Sequence, residues 1–113
     1  MARGKHPGPE GELFWTLAGE FLARDDVDEG TIMGFPCVRV RGQFMGTCDH
    51  RSGDLIVKLP AERVATLIEA GEGAPFAPAG RVFREWVLVE ARDEERWQEL
   101  LEEAYAFAGG QGV

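Results

Sequence analysis

Apolar residues recur at helical spacing between Glu10 and Arg24, where Leu13, Phe14, Leu17, Ala18, Phe21 and Leu22 form one broad stripe with Trp15 on its flank. That pattern predicts a helix packed on something flat. The acidic run Asp25, Asp26, Asp28, Glu29 ends at Gly30 and reads as a solvated connection. Thr31, Ile32 and Met33 then make a short strand, broken by Gly34 and turned by Pro36 into the next. From Cys37 to Cys48 two strands alternate around a glycine turn, with Val38 and Val40 on one side and Arg39 and Arg41 on the other. A three-residue loop would align Phe44 with the valines and leave Met45 and Thr47 with the arginines, and we favour that register because it separates polar from apolar positions. A two-residue turn at Gly42-Gln43 would instead oppose Cys37 to Cys48.

The segment Leu55 to Trp86 organises the rest. Leu55, Ile56, Val57 and Leu59 are an apolar run with one charge, Lys58, the pattern of a strand covered on both faces in the middle of a sheet. Pro60 ends the strand and is tolerated in the first turn of the following helix. There Val64, Leu67 and Ile68 make one stripe, Glu62 sits near the positive end, and Gly71 suits a left-handed stop. Glu72 to Arg81 is punctuated by glycine and proline and reads as irregular, with Phe76 between Pro75 and Pro78 pinning the loop to the core. Val82, Phe83, Trp86, Val87, Leu88 and Val89 read as a strand interrupted by Arg84 and Glu85. Asp93 to Ala108 is a helix with an N-terminal Asp and a stripe of Trp97, Leu100, Leu101, Ala104, Tyr105 and Ala108.

The resulting order, α-β-β-β-β-α-β-α, predicts an α+β domain: an antiparallel sheet with helices on one face. We expect residues 1–9 to be a disordered N-terminal segment, 10–108 one domain, and the glycine-rich 109–113 a disordered tail.

With 113 residues the chain suits a single domain, and 44% hydrophobic with 28% charged residues is ordinary for a globular protein. No apolar run approaches the roughly 18 residues of a membrane span, and no apolar region follows the basic N-terminus, so we expect a cytoplasmic protein. Net charge is −8, unevenly placed: residues 1–30 hold three basic and seven acidic side chains, 90–113 two and seven, and 31–89 seven and six. Such a balance disfavours bulk nucleic-acid binding. Cys37 and Cys48 are too few for a disulfide framework, and without CxxC or Cys/His spacing they suggest no metal. We expect free, buried thiols.

No catalytic constellation is spelled out. His50 follows Asp49 in a polar turn, and sequence adjacency does not make an oriented dyad; Ser52 and Thr47 lack a surrounding elbow. We expect no catalytic residues, no metal and no cofactor. The chemistry-bearing set is cationic and aromatic. Lys58 and Arg63 flank a helix start, Arg81 and Arg84 flank a strand entry beside Trp86, and together they suggest an anion- or partner-binding surface, provided the loop folds back on the helix. Arg39 and Arg41 are the alternative, a hairpin wing for nucleic acid.

Thr31-Ile32-Met33-Gly34-Phe35-Pro36, the hairpin Val38 to Phe44, Leu55 to Pro60, Pro75-Phe76, Glu85-Trp86 and Glu103-Ala104-Tyr105-Ala106-Phe107 together resemble the TfoX N-terminal-domain group and the related MmcQ/YjbR-like small proteins. The resemblance covers about residues 10 to 108. It implies an α+β domain with an antiparallel sheet and no catalytic motif, and it brings a DNA-binding label often attached to YjbR-like members. Taken with the residues, we expect a non-catalytic regulatory or interaction module, a monomer or weak homodimer, that binds a protein partner or a small anionic ligand.

Overall fold

The computed structural model describes residues 11–111. Among them the order is α1 (Glu12–Leu22), β1 (Val27–Ile32), β2 (Phe35–Val40), β3 (Gln43–Cys48), β4 (Leu55–Lys58), α2 (Ala61–Glu69), β5 (Ala74–Pro75), β6 (Trp86–Val89) and α3 (Glu94–Gln111), with a 3-10 turn at Pro78–Gly80 between β5 and β6. The expected α+β order holds with one short strand added. All neighbouring strands run antiparallel, in the order β1-β2-β3-β4-β6-β5. The N-terminal segment 1–9 and residues 112–113 of the expected tail lie outside the described residues.

β4 has β3 on one side and β6 on the other, and Leu55, Ile56 and Val57 are all buried, as the uninterrupted apolar run requires. Register separates the two faces. Leu55 and Val57 pair with Val89 and Val87, and all four belong to the helix-side core with Trp97, Leu100 and Leu101 of α3, Phe14 and Phe21 of α1, and Val64 and Leu67 of α2. Ile56 pairs with Thr47 and Leu88 on the opposite face, outside that core. Helix α3 lies on β2, β3 and β4, α1 touches β1, and α2 touches β5 and β6. Gly46 is a close approach beneath α3: a Cβ there would stand 3.2 Å from the Ile56 carbonyl and 3.5 Å from the Leu101 side chain.

Helix ends follow the sequence closely. Asp93 Oδ1 accepts from the Arg96 amide at 3.1 Å, capping α3. After α2, Gly71 takes φ +78° while the Gly71 and Glu72 amides return to the carbonyls of Ile68 and Leu67. Helix α3 runs on through Gly109 and Gly110 to Gln111, so these residues extend the helix instead of starting the tail.

Four expectations change. The acidic run is not all connection, because Asp28, Glu29 and Gly30 belong to β1, an edge strand whose exposed positions tolerate charge. The β2–β3 turn is Arg41-Gly42, both at positive φ (52° and 80°), a two-residue hairpin that pairs Val40 with Gln43 and Arg39 with Phe44. A bulge follows, and beyond it Val38 faces Gly46 as the longer loop would have placed it, so Met45 is buried in the core with the valines and Phe44 stays on the arginine side. The loop after α2 contains β5, where Pro75 is admissible because it stands on the sheet edge. Finally β6 begins only at Trp86; Val82 is 58% exposed and residues 81–85 form a loop.

Truncating the central strand should therefore be far costlier than truncating the loop. Leu55→Ala is expected to lower unfolding free energy by about 2–5 kcal/mol, and Val82→Ala to leave it within about 0.5 kcal/mol, as read by urea denaturation.

Candidate functional site

The face of the sheet that the three helices leave uncovered carries a trough of about 510 Å³. Its floor is one row across the strands, Thr47, Ile56 and Leu88, placed side by side by the β3–β4 and β4–β6 register. Antiparallel pairing at this spacing lets small and branched side chains touch along the row.

Aromatic pairs form opposite walls. At one end Phe35, just past the β1–β2 turn, stacks on His50 with ring centroids 4.1 Å apart and planes 11° apart. At the other, Trp86 lies between Phe44 at 4.4 Å and Phe76 at 5.2 Å, both near-parallel, with Phe83 edge-on at 4.9 Å. The loop before β6 is held to this cluster by backbone bonds, the Phe83 amide donating to the Phe76 carbonyl and the Trp86 amide to the Phe83 carbonyl, each at 3.1 Å. Phe76 does pin its loop, but to the open face of the sheet and not to the helix-side core. Met33 and Phe35, exposed by 55% and 41%, stand at the rim.

The turn that presents His50 is closed by hydrogen bonds to Asp49. Asp49 Oδ1 accepts from the amides of Arg51 at 2.8 Å and Ser52 at 3.2 Å, and the Gly53 amide returns to the Asp49 carbonyl at 2.8 Å. Partial burial works against the Asp49 charge, yet those two amides and the neighbouring His50 and Arg51 outweigh it and leave the carboxyl below its ordinary range. From behind, Arg92 donates to Asp54 at 2.8 Å and to the Ser52 carbonyl at 2.6 Å, tying the turn to the start of α3. Thr47 in the floor donates its hydroxyl to the Pro36 carbonyl at 2.7 Å.

The residues singled out from the sequence are dispersed. Trp86 lines the trough. Lys58, its neighbour across the β4–β6 pair, reaches Glu85 at 3.9 Å. Arg63 belongs to the helix layer, where Nε and Nη2 grip both carboxylate oxygens of Glu103 in α3 at 2.9 and 3.0 Å. Arg81 lies over the Phe83 ring at 5.8 Å, and Arg84 is exposed. None of the four cations lines the trough, although the end of the loop does reach the entry to α2, where the Leu59 amide donates to the Glu85 carbonyl at 2.8 Å. Arg39 pairs with Asp28 at 2.9 Å and lies across Gly30, where a Cβ would sit 2.4 Å from its Nε; Arg41 faces Asp26 at 3.6 Å.

A second cavity, about 550 Å³, opens between the loop after α2, the end of β6 and the start of α3. Arg96 spans it, bound to Glu72 at 2.6 Å and Glu99 at 2.8 Å, and the Trp97 indole donates to the Ala91 carbonyl at 2.7 Å. Its polar groups are thus committed to one another, whereas the trough keeps open aromatic walls. Sequence reading missed Phe35, His50 and Phe76 as one site because their proximity depends on strand register, which local spacing does not reveal.

With this geometry in view, comparison with known families is decisive: the model of the family described as YjbR matches residues 22–107. The chain belongs to the YjbR family. Neither the curated proteins nor the solved structures compared with it show a match. The YjbR span begins at the last residue of α1 and ends inside α3, so every strand, and with them the whole trough, falls within it.

Cys37 and Cys48, both free, are buried against opposite faces, and burial pushes each thiol up to about 11 from 9.0. An unfolded thiol ionises near pH 9 while the folded one keeps its proton to about 11, so stability intact below pH 9 should fall as pH rises to 11. Chemical denaturation across that range should show a shallower decline in the Cys37→Ala/Cys48→Ala double variant than in the parent.

Proposed function

We propose that this YjbR-family chain is a non-catalytic regulatory or interaction module that captures its ligand on the open face of the sheet, in the trough between the Phe35–His50 and Trp86–Phe76 walls. The observation that carries this reading is a concavity of about 510 Å³, within the range of small-ligand sites, whose floor and walls are mainly apolar and aromatic while a few polar groups gather at one end. Exposed Met33 and Phe35 at the rim extend the apolar surface outward, as binding faces do.

The chemistry around the trough supports binding over turnover. His50 is the one histidine among the described residues, and its ring is stacked on Phe35 with no thiol or hydroxyl nucleophile hydrogen-bonded to it. Both thiols are kept in the protonated form, which is the poor nucleophile. A cytoplasmic location belongs to the same proposal, a compartment in which buried free thiols such as Cys37 and Cys48 persist. The nucleic-acid alternative has less support, since Arg39 and Arg41 already face Asp28 and Asp26 and a phosphate backbone would compete with both acids.

A neutral, planar apolar dye tests the site directly. Nile red should brighten on binding the native protein, and Phe35→Ser, a change at a half-exposed rim position, should remove most of that emission while the far-ultraviolet circular dichroism stays unchanged. Emission equal in parent and variant, or appearing only when the protein is partly unfolded, would overturn the proposal.

A further inference from the structure

The trough's polar end narrows the class of ligand, on the premise that the open sheet face is the binding surface. Ten lysine and arginine residues lie among the described residues, and seven of them, Arg24, Arg39, Arg41, Lys58, Arg63, Arg92 and Arg96, are within ion-pair distance of a carboxylate. Of the other three, Arg81 and Arg84 stand outside the trough and Arg51 lines it. The Arg51 backbone amide bonds Asp49, but its guanidinium forms no hydrogen bond or ion pair with another described residue. In a chain with 20 acidic and 12 basic side chains, a guanidinium at the mouth of an aromatic trough that acts on its neighbour Asp49 through its field alone, with no contact ion pair to a described residue, is the exception among the trough's surroundings.

The one carboxylate at that end, Asp49, has Oδ1 held by two backbone amides, so part of its negative field is already answered by the turn. The rest of the lining selects for shape. Phe35 and His50 present flat surfaces at one end, Trp86 and Phe76 at the other, and the Ile56–Leu88 floor carries no charge. We infer that the trough takes a small planar aromatic acid, its ring system lying over the Ile56–Leu88 floor between the two aromatic walls and its anionic group facing the Arg51 guanidinium. A guanidinium fork matches a carboxylate in geometry as well as in charge.

The test uses two isosteric probes, 2-naphthoate and the neutral 2-naphthalenemethanol, titrated into the full chain and followed through the three tryptophan indole N–H signals by nuclear magnetic resonance. Trp86 lies in the trough wall, whereas Trp15 and Trp97 are in the helix-side core, so the signals separate the two faces. The Trp86 signal should move with 2-naphthoate while the other two stay in place. Arg51→Gln, at an exposed turn, should weaken 2-naphthoate about threefold to fivefold, the range of a solvent-exposed ion pair, and leave 2-naphthalenemethanol unchanged. If both probes move Trp86 with equal affinity, or Arg51→Gln does not alter 2-naphthoate, the acid assignment is wrong while the sheet-face site stands. If neither probe moves Trp86, both the assignment and the binding face are wrong.

Discussion

Ile56 lies between Leu55 and Val57 in a strand with a neighbour on each side, so its side chain must find apolar cover on the face no helix reaches. Burying a side chain of that size is worth about 1.5–3 kcal/mol, and β4 cannot sit centrally unless both of its faces are shielded. The surroundings on that face are short pieces instead of a layer: Leu88 and Thr47 beside Ile56, with Phe76 and Trp86 from the loop and strand that follow α2 and Phe35 from the first hairpin lining the same trough. Cover assembled in this way leaves gaps between its pieces. The trough is the gap, and its floor is the same side chain that anchors the middle of the sheet.

Electrostatics plays a different part. Arg24 with Glu102, Tyr105 with Asp26, Arg63 with Glu103 and Arg92 with Asp54 all link segments far apart in the chain, and all are at least partly exposed. Pairs of that kind contribute at most about 1 kcal/mol each. Their effect is to orient: Arg24 also lies over the rings of Phe21 and Tyr105, fixing α3 against the end of α1, and Arg92 steadies the turn that carries His50. The acidic excess that remains is spread over the helical layer and β1, away from the trough floor.

Much of the framework was legible because it is local. The continuous apolar run of β4, Pro60 at the strand-to-helix junction, Gly71 after α2 and Asp93 before α3 each act within a few residues, and each stands where its spacing indicates. What failed was non-local. Asp28 and Glu29 look like loop residues until β1 is known to be an edge, and the bulge near Arg39 cannot be read from alternation because it changes which face Met45 and Phe44 occupy. The site suffered most. Trp86 was recognised, but the cations grouped with it by chain proximity point to different neighbours, Arg63 to α3 and Lys58 to Glu85, while Phe35 and His50, fifteen positions apart, meet only because β2 and β3 fold side by side.

An open sheet offers other places for a partner, and the structure treats them unequally. Edge β5 is two residues long, with a proline that cannot donate to a further strand. Edge β1 is six residues long and carries charged side chains, Asp28, already paired with Arg39 of β2, and Glu29, which an added strand would have to accommodate. Both edges are thereby protected from strand addition, whereas the uncovered face between them bears exposed Met33 and Phe35 and no comparable charge barrier at its floor. Charge placed on the rims and apolar surface left on the face would limit self-association through the edges without closing the trough.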